Sequence, residues 1–239
     1  MPILTDIKAK FHDEIMKIPD LLDDYFDPDK IAVVEIDMMS SFLSTDPDCP
    51  CPAPQAREVI EPTNRFNEEC RKLGIPIIHV RVGLRKYPGM YENTKTGYTR
   101  FFPLSIKGGL PNLDNHAVEG SKWVEFSTEV KPEDYIVNTK KRLSAFNGTD
   151  LNFLLKQLEK DTVIIEGIFT DCCDLSAAFD ATNIDYKVIF PGNITRGFSD
   201  ELEEAAKKII SLYIGLVVND QELIKELKAQ KARKASKKA

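Results

Sequence analysis

The chain has 239 residues, of which 42% are hydrophobic and 29% are charged, and its formal net charge is -6. This composition is typical of a soluble globular protein, and the length fits one α/β domain with added helices. The mildly acidic balance argues against a nucleic-acid or anionic-membrane partner. No apolar run is long enough to span a membrane, and residues 1–10 lack the apolar core of a signal peptide. Five cysteines without the spacing of a disulfide framework indicate a reducing, cytoplasmic location.

Strand-like and helix-like patterns alternate along the chain. Before the first strand, Ile7, Phe11, Ile15 and Ile18 share one face of a helical pattern, which predicts one or two amphipathic helices. Six short, nearly continuously apolar runs then predict strands that are buried on both faces. They cover residues 31–36, 75–82, 135–137, 163–168, 186–190 and 216–218. Apolar stripes at helical spacing lie between them, so we predict a three-layer α/β/α sandwich with a six-stranded, mostly parallel sheet.

Two segments do not follow this alternation. Residues 83–118 are rich in Gly, Pro, Tyr and Asn, and they predict a long loop that covers a pocket or reaches a neighbouring subunit. The last residues carry many Lys and Arg side chains and no acid, which predicts a solvated, disordered tail. We therefore predict one domain over residues 1–228, with an N-terminal helical extension of residues 1–28 and a tail of residues 229–239.

Chemically active side chains follow three of the predicted strands, at the edge where parallel sheets form their sites. Asp37 follows the first strand, although a helix cap is an alternative role for it. Lys140 and Lys141 follow the third strand, where a solvated surface charge is the alternative. Cys172 and Cys173 follow the fourth strand at a turn into a helix, whose dipole lowers the pKa of a thiol. The alternative is that both cysteines are buried apolar residues.

A carboxylate, a cation and a thiol at successive strand ends form a complete set for nucleophilic acyl transfer. The thiol attacks, the carboxylate moves protons and the cation stabilises charge. Two other classes remain open. One is a catalytically silent, oligomeric scaffold of the same fold. The other is a thiol redox or metal-binding protein built on Cys49, Cys51, Cys172 and Cys173, which lacks the ligands that would complete a four-ligand set.

Three segments resemble the isochorismatase-like superfamily of cysteine hydrolases. Residues 31–42 resemble its opening strand, residues 140–151 its lysine segment and residues 167–173 its nucleophile turn. The resemblance covers roughly residues 28–225. The family's spacing from the preceding glycine selects Cys173 over Cys172, and its spacing to the following Ser-Ala-Phe selects Lys140 over Lys141.

The resemblance implies roles for named residues. Cys173 is expected to be the nucleophile, Asp37 the general base and acid, and Lys140 the cation that keeps the thiolate charged. The family's cis peptide bond maps to Ile168–Phe169. It is expected to turn the Phe169 N–H toward the same point as the Cys173 N–H, so that both backbone groups form an oxyanion hole.

The resemblance also implies the class of reaction. Nicotinamidases of the superfamily carry a metal-binding Asp-x-His followed by a second His, and residues 79–85 lack that pattern, so we expect no metal and no cofactor. The presence of Cys173 argues against the vinyl-ether chemistry of members that lack the cysteine. The chain looks most like amidases such as N-carbamoylsarcosine amidase and biuret hydrolase. We expect it to cleave a C–N bond of a small amide or ureido compound through a thioester or S-carbamoyl intermediate, releasing ammonia or an amine.

Four further residues are candidates for binding the substrate, because each offers a polar group to a carboxylate or carbonyl. They are Arg81, Arg85, Tyr87 and Arg196. The substrate itself is not identified by the sequence. Because members of the family generally assemble, we also expect a homodimer or homotetramer.

Overall fold

The computed structural model of the protein describes residues 3–88, 90–91 and 97–238. The strands are β1 (Lys8–Phe11), β2 (Glu14–Lys17), β3 (Ile31–Ile36), β4 (Ile77–Val82), β5 (Lys86–Tyr87), β6 (Met90–Tyr91), β7 (Tyr135–Lys140), β8 (Thr162–Ile168), β9 (Lys187–Pro191), β10 (Thr195–Arg196) and β11 (Leu216–Val218). The helices are α1 (Ser40–Leu43), α2 (Ile60–Lys72), α3 (Gly97–Ser105), α4 (Leu151–Gln157), α5 (Leu175–Asn183), α6 (Asp200–Tyr213) and α7 (Asp220–Lys238).

The centre of the fold is a mainly parallel sheet in the order β2-β1-β11-β9-β8-β3-β4-β7. The six strands from β11 to β7 in this order run parallel and correspond to the six predicted strands. Their side chains alternate between two apolar layers: α4, α5 and α6 cover one face of the sheet, whereas α2 and α7 cover the other. The predicted α/β/α fold is therefore confirmed. The predicted count of six strands is too low, because β1, β2 and β10 extend the described sheet to nine.

The N-terminal segment forms strands, not the amphipathic helices predicted for residues 1–28. β1 and β2 make an antiparallel hairpin, with His12 at the turn in the left-handed region (φ 56°), and β1 pairs with β11. Ile7 and Ala9 are buried, while Lys8 between them is exposed, so burial around the start of β1 follows the two-residue period of a strand. β11 supplies the backbone hydrogen-bond partners for β1. A 3₁₀ helix, Asp20–Phe26, connects the hairpin to β3.

The C-terminal segment is helical, so the disordered tail predicted for residues 229–239 is wrong for its described part. α7 continues to Lys238. Acids that are distant in sequence neutralise its lysines: Lys234 lies 2.6 Å from carboxylate oxygens of both Asp27 and Asp29, and Lys228 lies 2.5 Å from Glu69. Two lysines of this basic helix are therefore paired with acids from other parts of the fold. In the part of the chain that the structure describes, no helix combines the length and apolar character needed to cross a membrane.

Gly167 allows β3 and β8 to approach closely just before the nucleophile turn. Its φ is +121°, and a Cβ at this position would lie 2.2 Å from the Ile36 carbonyl oxygen. Only a glycine meets both conditions.

We expect Gly167→Ala to lower the free energy of unfolding by at least about 2 kcal/mol, because it combines a disfavoured φ with a backbone clash. Urea denaturation measures the change. Gly148→Ala is the control. Its φ is also positive (+70°), in the more accessible left-handed region, and no atom lies within 4 Å of its Cβ position, so it measures the cost of a positive φ without a clash. An equal loss in both variants would contradict the role of close approach.

Candidate functional site

The three predicted catalytic residues lie together at the carboxyl edge of the parallel sheet. Asp37 directly follows β3, Lys140 ends β7 and Cys173 follows β8. Lys140 Nζ lies 2.6 Å from Asp37 Oδ2 and 3.3 Å from Cys173 Sγ. All three side chains are buried, with exposures of 0% for Asp37, 1% for Lys140 and 7% for Cys173. The ammonium group therefore bridges the carboxylate and the sulfur away from bulk water.

The backbone at Asp37 is in an unusual conformation for a residue with a side chain. Its φ is 56°, in the left-handed region, and its N–H donates to the Val80 carbonyl at 2.8 Å. Residues held in such conformations cluster at functional sites. Asp37 Oδ2 accepts from Lys140, while the buried Oδ1 has no hydrogen-bond partner among the described residues. One carboxylate oxygen is thus fixed by the lysine, and the other is buried with no hydrogen-bond partner among the described residues.

Cys173 lies in a π-helical turn, Thr170–Asp174, that leads directly into α5. The Ile168–Phe169 peptide bond before this turn is cis. The Phe169 carbonyl accepts the N–H groups of Cys172 and Asp174 at 2.9 and 3.2 Å. The assignment of the Phe169 and Cys173 N–H groups as an oxyanion hole stays a prediction.

The pKa values of the adjacent thiols, Cys172 and Cys173, are shifted in opposite directions. The hydrogen bond between them raises the pKa of Cys173, and burial raises it further, with Lys140 acting in the opposite direction. The same hydrogen bond lowers the pKa of Cys172, helped by Lys140. The lowered pKa expected for a nucleophile at this helix start is therefore not found at Cys173. A thiol with a raised pKa needs a base before its sulfur can attack, and Asp37 is the carboxylate that shares Lys140 with Cys173.

The three residues form the floor of a cavity of about 520 Å³. Its walls are largely apolar, with five phenylalanines from separate parts of the chain: Phe42, Phe101, Phe102, Phe169 and Phe198. The Phe42 ring meets the Phe169 ring edge to face, with centroids 5.5 Å apart, and it meets the His116 ring in the same way at 5.0 Å. Apart from Phe169, which was predicted for its backbone N–H, these aromatic residues were not predicted from the sequence as cavity lining, because an isolated Phe looks like any other core residue.

The segment predicted as a long loop, residues 83–118, contributes to the wall of this cavity. Part of it is regular structure, since it contains α3 and the β5–β6 hairpin, while residues 89 and 92–96 lie outside the described residues. Phe102 on α3 packs against a buried apolar cluster that includes Met38, Met39 and Phe42, and this contact anchors the helix over the site. His116 also lines the cavity. Its Nδ1 lies 2.6 Å from Ser41 Oγ, and burial lowers its pKa to about 4.

The four predicted substrate-binding residues are not among the residues that line the cavity. The Arg81 guanidinium donates to the Val124 carbonyl and lies over the Phe126 ring at 5.0 Å. Arg196 forms ion pairs with Glu58, Asp200 and Glu203. Arg85 and Tyr87 are exposed on the segment that leads into α3. A substrate-binding role for the four residues stays a prediction.

Arg142 lines the cavity, whereas the four predicted substrate-binding residues do not. It lies two residues after Lys140, and its guanidinium donates to the Lys141 carbonyl at 2.8 Å. The resemblance of this segment to the family's lysine segment was the only sequence signal that pointed near it.

A second group of buried charges is centred on His79 of β4. His79 is enclosed between Glu35, 2.8 Å from its Nδ1, and Asp134, 3.1 Å from its Nε2. Burial lowers the pKa of His79, but the two carboxylates outweigh that effect and raise it. Arg71 completes the chain with an ion pair to Asp134 at 2.7 Å. These charges compensate one another, so the group is a structural support for the edge of the sheet.

Glu166 is buried on β8 opposite Glu35 and has no cation beside it among the described ion pairs. Burial raises its pKa well above the ordinary value of 4.5, and the charge of Glu35 raises it further. The folded state therefore holds a proton on Glu166 that the unfolded state releases as the pH rises above 4.5. Stability is full below this pH and is lost at about 1.4 kcal/mol per pH unit until the folded-state pKa is reached.

We expect Glu166→Gln to remove this loss, because an amide does not ionise in either state. The variant should match wild type near pH 4 and be more stable at pH 7, by a margin that grows with pH. Urea denaturation across this range gives the difference. The control is Glu133→Gln, an exposed carboxylate in the turn before β7 whose replacement should change stability little at any pH. A constant difference between Glu166→Gln and wild type would contradict the buried proton.

The residues present do not fit a metal centre of the kind found in some relatives. Among the described residues, no group of three or more His, Cys, Asp or Glu side chains is placed to hold an ion. His79 uses both ring nitrogens on carboxylates, and His116 pairs with Ser41 through Nδ1.

Comparisons with known proteins agree with this fold. A cysteine hydrolase from Pseudomonas syringae superposes with a TM-score of 0.72 at 21% identity, covering 85% of this chain and 95% of that one. The isochorismatase family protein YwoC of Bacillus subtilis, itself uncharacterized, is 33% identical over 143 residues, which are 55% of this chain and 75% of YwoC. N-carbamoylsarcosine amidase of Arthrobacter is 26% identical over 161 residues, which are 67% of this chain and 57% of the amidase.

The family model described as Isochorismatase domain matches residues 31–222, from the first residue of β3 into α7. This match takes in all the parallel strands of the sheet, although not the antiparallel β1 and β2, and all three predicted catalytic residues. The chain therefore belongs to the isochorismatase-like hydrolase family.

Proposed function

We propose that the protein is a cysteine hydrolase that cleaves a C–N bond of an amide or ureido compound. The observation that carries the proposal is the buried Asp37–Lys140–Cys173 group at the floor of the cavity, with Lys140 Nζ within 2.6 and 3.3 Å of its two partners. A thiol and a carboxylate held by one cation supply the groups that nucleophilic acyl transfer requires. The similarity to an N-carbamoylsarcosine amidase supports the same class of reaction.

The first half-reaction forms a covalent intermediate. Asp37 takes the Cys173 proton as the sulfur attacks the carbonyl carbon, and the C=O electron pair moves onto oxygen. The N–H groups of Phe169 and Cys173 are proposed to hold this oxyanion, where losing one donor costs about 2.7–4 kcal/mol of transition-state stabilisation. The C–N bond then breaks, Asp37 returns the proton to nitrogen, and ammonia or an amine leaves. A thioester or S-carbamoyl enzyme remains.

The second half-reaction regenerates the enzyme. Asp37 takes a proton from water as the water oxygen attacks the same carbonyl carbon. The C–S bond breaks, the acid product leaves and the Cys173 sulfur recovers its proton. Lys140 contacts both Asp37 and Cys173, so it compensates the negative charge wherever the proton is absent.

Ammonia release from a panel of small amides and ureido acids tests the proposal. We expect at least one compound to be hydrolysed by the wild-type protein and not by Cys173→Ala. Failure of every compound, together with no acyl mass on the protein in single-turnover mass spectrometry, would favour the catalytically silent scaffold.

We also propose that the protein assembles as a homodimer or homotetramer, which remains an expectation from its family membership. Light scattering at micromolar concentration measures the mass. A monomer of 27.0 kDa would contradict the expectation.

A further inference from the structure

The cavity above Cys173 is far larger than the reacting group of an amide requires. About 520 Å³ is the size of sites that enclose drug-sized ligands, whereas a compound such as acetamide has only four heavy atoms. The amide carbonyl must reach Cys173 at the floor, so most of the volume is left for the rest of the substrate.

The polar groups of the cavity are concentrated at its reacting end or are engaged in internal contacts. Asp37, Lys140 and Cys173 form the floor. Asp171 Oδ1 accepts the Phe198 N–H at 2.7 Å, so this carboxylate fixes the loop before α6. His116 is neutral at pH 7, since its pKa is about 4. Arg142, a cation on the wall, donates to the Lys141 carbonyl at 2.8 Å, and Ser105 Oγ donates to the Phe102 carbonyl at 2.7 Å. Apart from the Arg142 guanidinium, the walls described here therefore offer little hydrogen bonding to a polar substrate body.

The apolar surface continues from the floor to the mouth. Phe42, next to the floor, is only 7% exposed. At the mouth the exposed apolar side chains come from two separate segments: Phe101 on α3 is 73% exposed, while Phe198 and Leu202 at the start of α6 are 48% and 46% exposed. A ligand that covers these exposed apolar side chains removes apolar surface from water, which favours binding.

We propose that the substrate is a primary amide whose acyl group is apolar and extended, at least a five-carbon chain in length, and that Phe101 is a specificity-determining residue. This inference rests on the proposed function. The carbonyl lies at Cys173, the acyl chain fills the space between the phenylalanines, and its far end contacts Phe101. The products are ammonia and the corresponding apolar carboxylic acid, formed with one water molecule as in the reaction above.

The values of kcat/KM for acetamide, butanamide and hexanamide test the length dependence. Each added methylene that leaves water for the cavity is expected to raise kcat/KM about fourfold, so hexanamide should exceed acetamide about 200-fold. Equal values for acetamide and hexanamide, or a higher value for biuret than for hexanamide, would overturn the inference and leave the proposed function standing.

A matched pair of variants tests Phe101. Phe101→Ala should lower kcat/KM for hexanamide about fivefold or more and leave the value for acetamide unchanged. Phe153→Ala is the control, because Phe153 on α4 is similarly exposed (68%) and does not line the cavity. Equal effects of the two substitutions would overturn the role of Phe101.

Binding to Cys173→Ala separates the two proposals. Calorimetry should find hexanamide bound about 200-fold more tightly than acetamide. If this preference holds while wild type hydrolyses neither amide, the proposed function fails and the assignment of the cavity to an apolar acyl group stands. If the two amides bind equally, the assignment of the cavity fails.

Discussion

Cys173→Ala is expected to abolish amide hydrolysis, while Cys172→Ala is expected to keep most of the wild-type rate. The Cys173 sulfur lies 3.3 Å from the Lys140 ammonium that also holds Asp37. Removing the nucleophile of a catalytic triad lowers kcat on the order of 10⁶-fold. The pKa of Cys172 is lowered, but greater acidity does not by itself make a thiol the nucleophile.

Single-turnover trapping distinguishes the two thiols better than alkylation does. Iodoacetamide reacts with the thiolate form, and the pKa values of Cys172 and Cys173 are shifted in opposite directions, so alkylation reports acidity and not which sulfur attacks the substrate. Mass spectrometry of the intact variants avoids this problem. We expect the substrate acyl mass on Cys172→Ala and none on Cys173→Ala. The opposite distribution would assign the attack to Cys172, and the oxyanion hole built on Phe169 and Cys173 would fail with it.

Asp37→Asn is expected to lower kcat by about 10²–10⁴-fold, the usual contribution of a general acid–base. The amide still accepts a hydrogen bond from Lys140 but does not take up the Cys173 proton. Because the substitution also leaves the buried lysine without its charge partner, it is expected to cost about 3–5 kcal/mol of stability. Circular dichroism at the assay temperature must therefore establish that the variant is folded before its rate is compared.

Asp171→Asn is the matched control for Asp37→Asn. It neutralises a second carboxylate of the same cavity, whose described hydrogen bond is to the Phe198 N–H. Its rate should stay within about tenfold of wild type, since it is not in contact with the reacting thiol. Near-normal turnover of a folded Asp37→Asn variant would exclude the acid–base role.

The parallel strands were predictable because strands buried on both faces have nearly continuous apolar sequences. β3 and β11 begin and end where the sequence pattern places them. β7 runs three residues further than predicted, since most of its side chains are exposed and the apolar pattern stops at Val137. The N-terminal hairpin was not predictable, because Ile7 and Phe11 fit a helix as well as a strand. Its pairing with β11, some 200 residues away, decides between them.

The reacting residues were easier to predict than the residues around the substrate. Asp37, Lys140 and Cys173 each occur at or directly after an apolar strand, and parallel topology brings such positions together. The substrate-binding candidates were chosen for their charge, but Arg81 and Arg196 are used by the fold in contacts with other segments. The aromatic wall depends on how α3 and the start of α6 pack over the sheet, which the sequence does not reveal.

The pairing of β1 with β11 ties the first and last parts of the fold together. Thr5 donates its backbone N–H to Glu226, and Lys8 donates its own to Glu222, so the hairpin is bound to residues more than 200 positions later. On the ribosome, residues 8–17 emerge well before residues 216–226 and have no β11 to pair with until these have been synthesised. The edge of β1 that pairs with β11 in the folded protein is open during that time. Nascent chains arrested before β11 should accordingly bind chaperones through this hairpin. Once β11 has been synthesised and has paired with β1, the chaperones should dissociate.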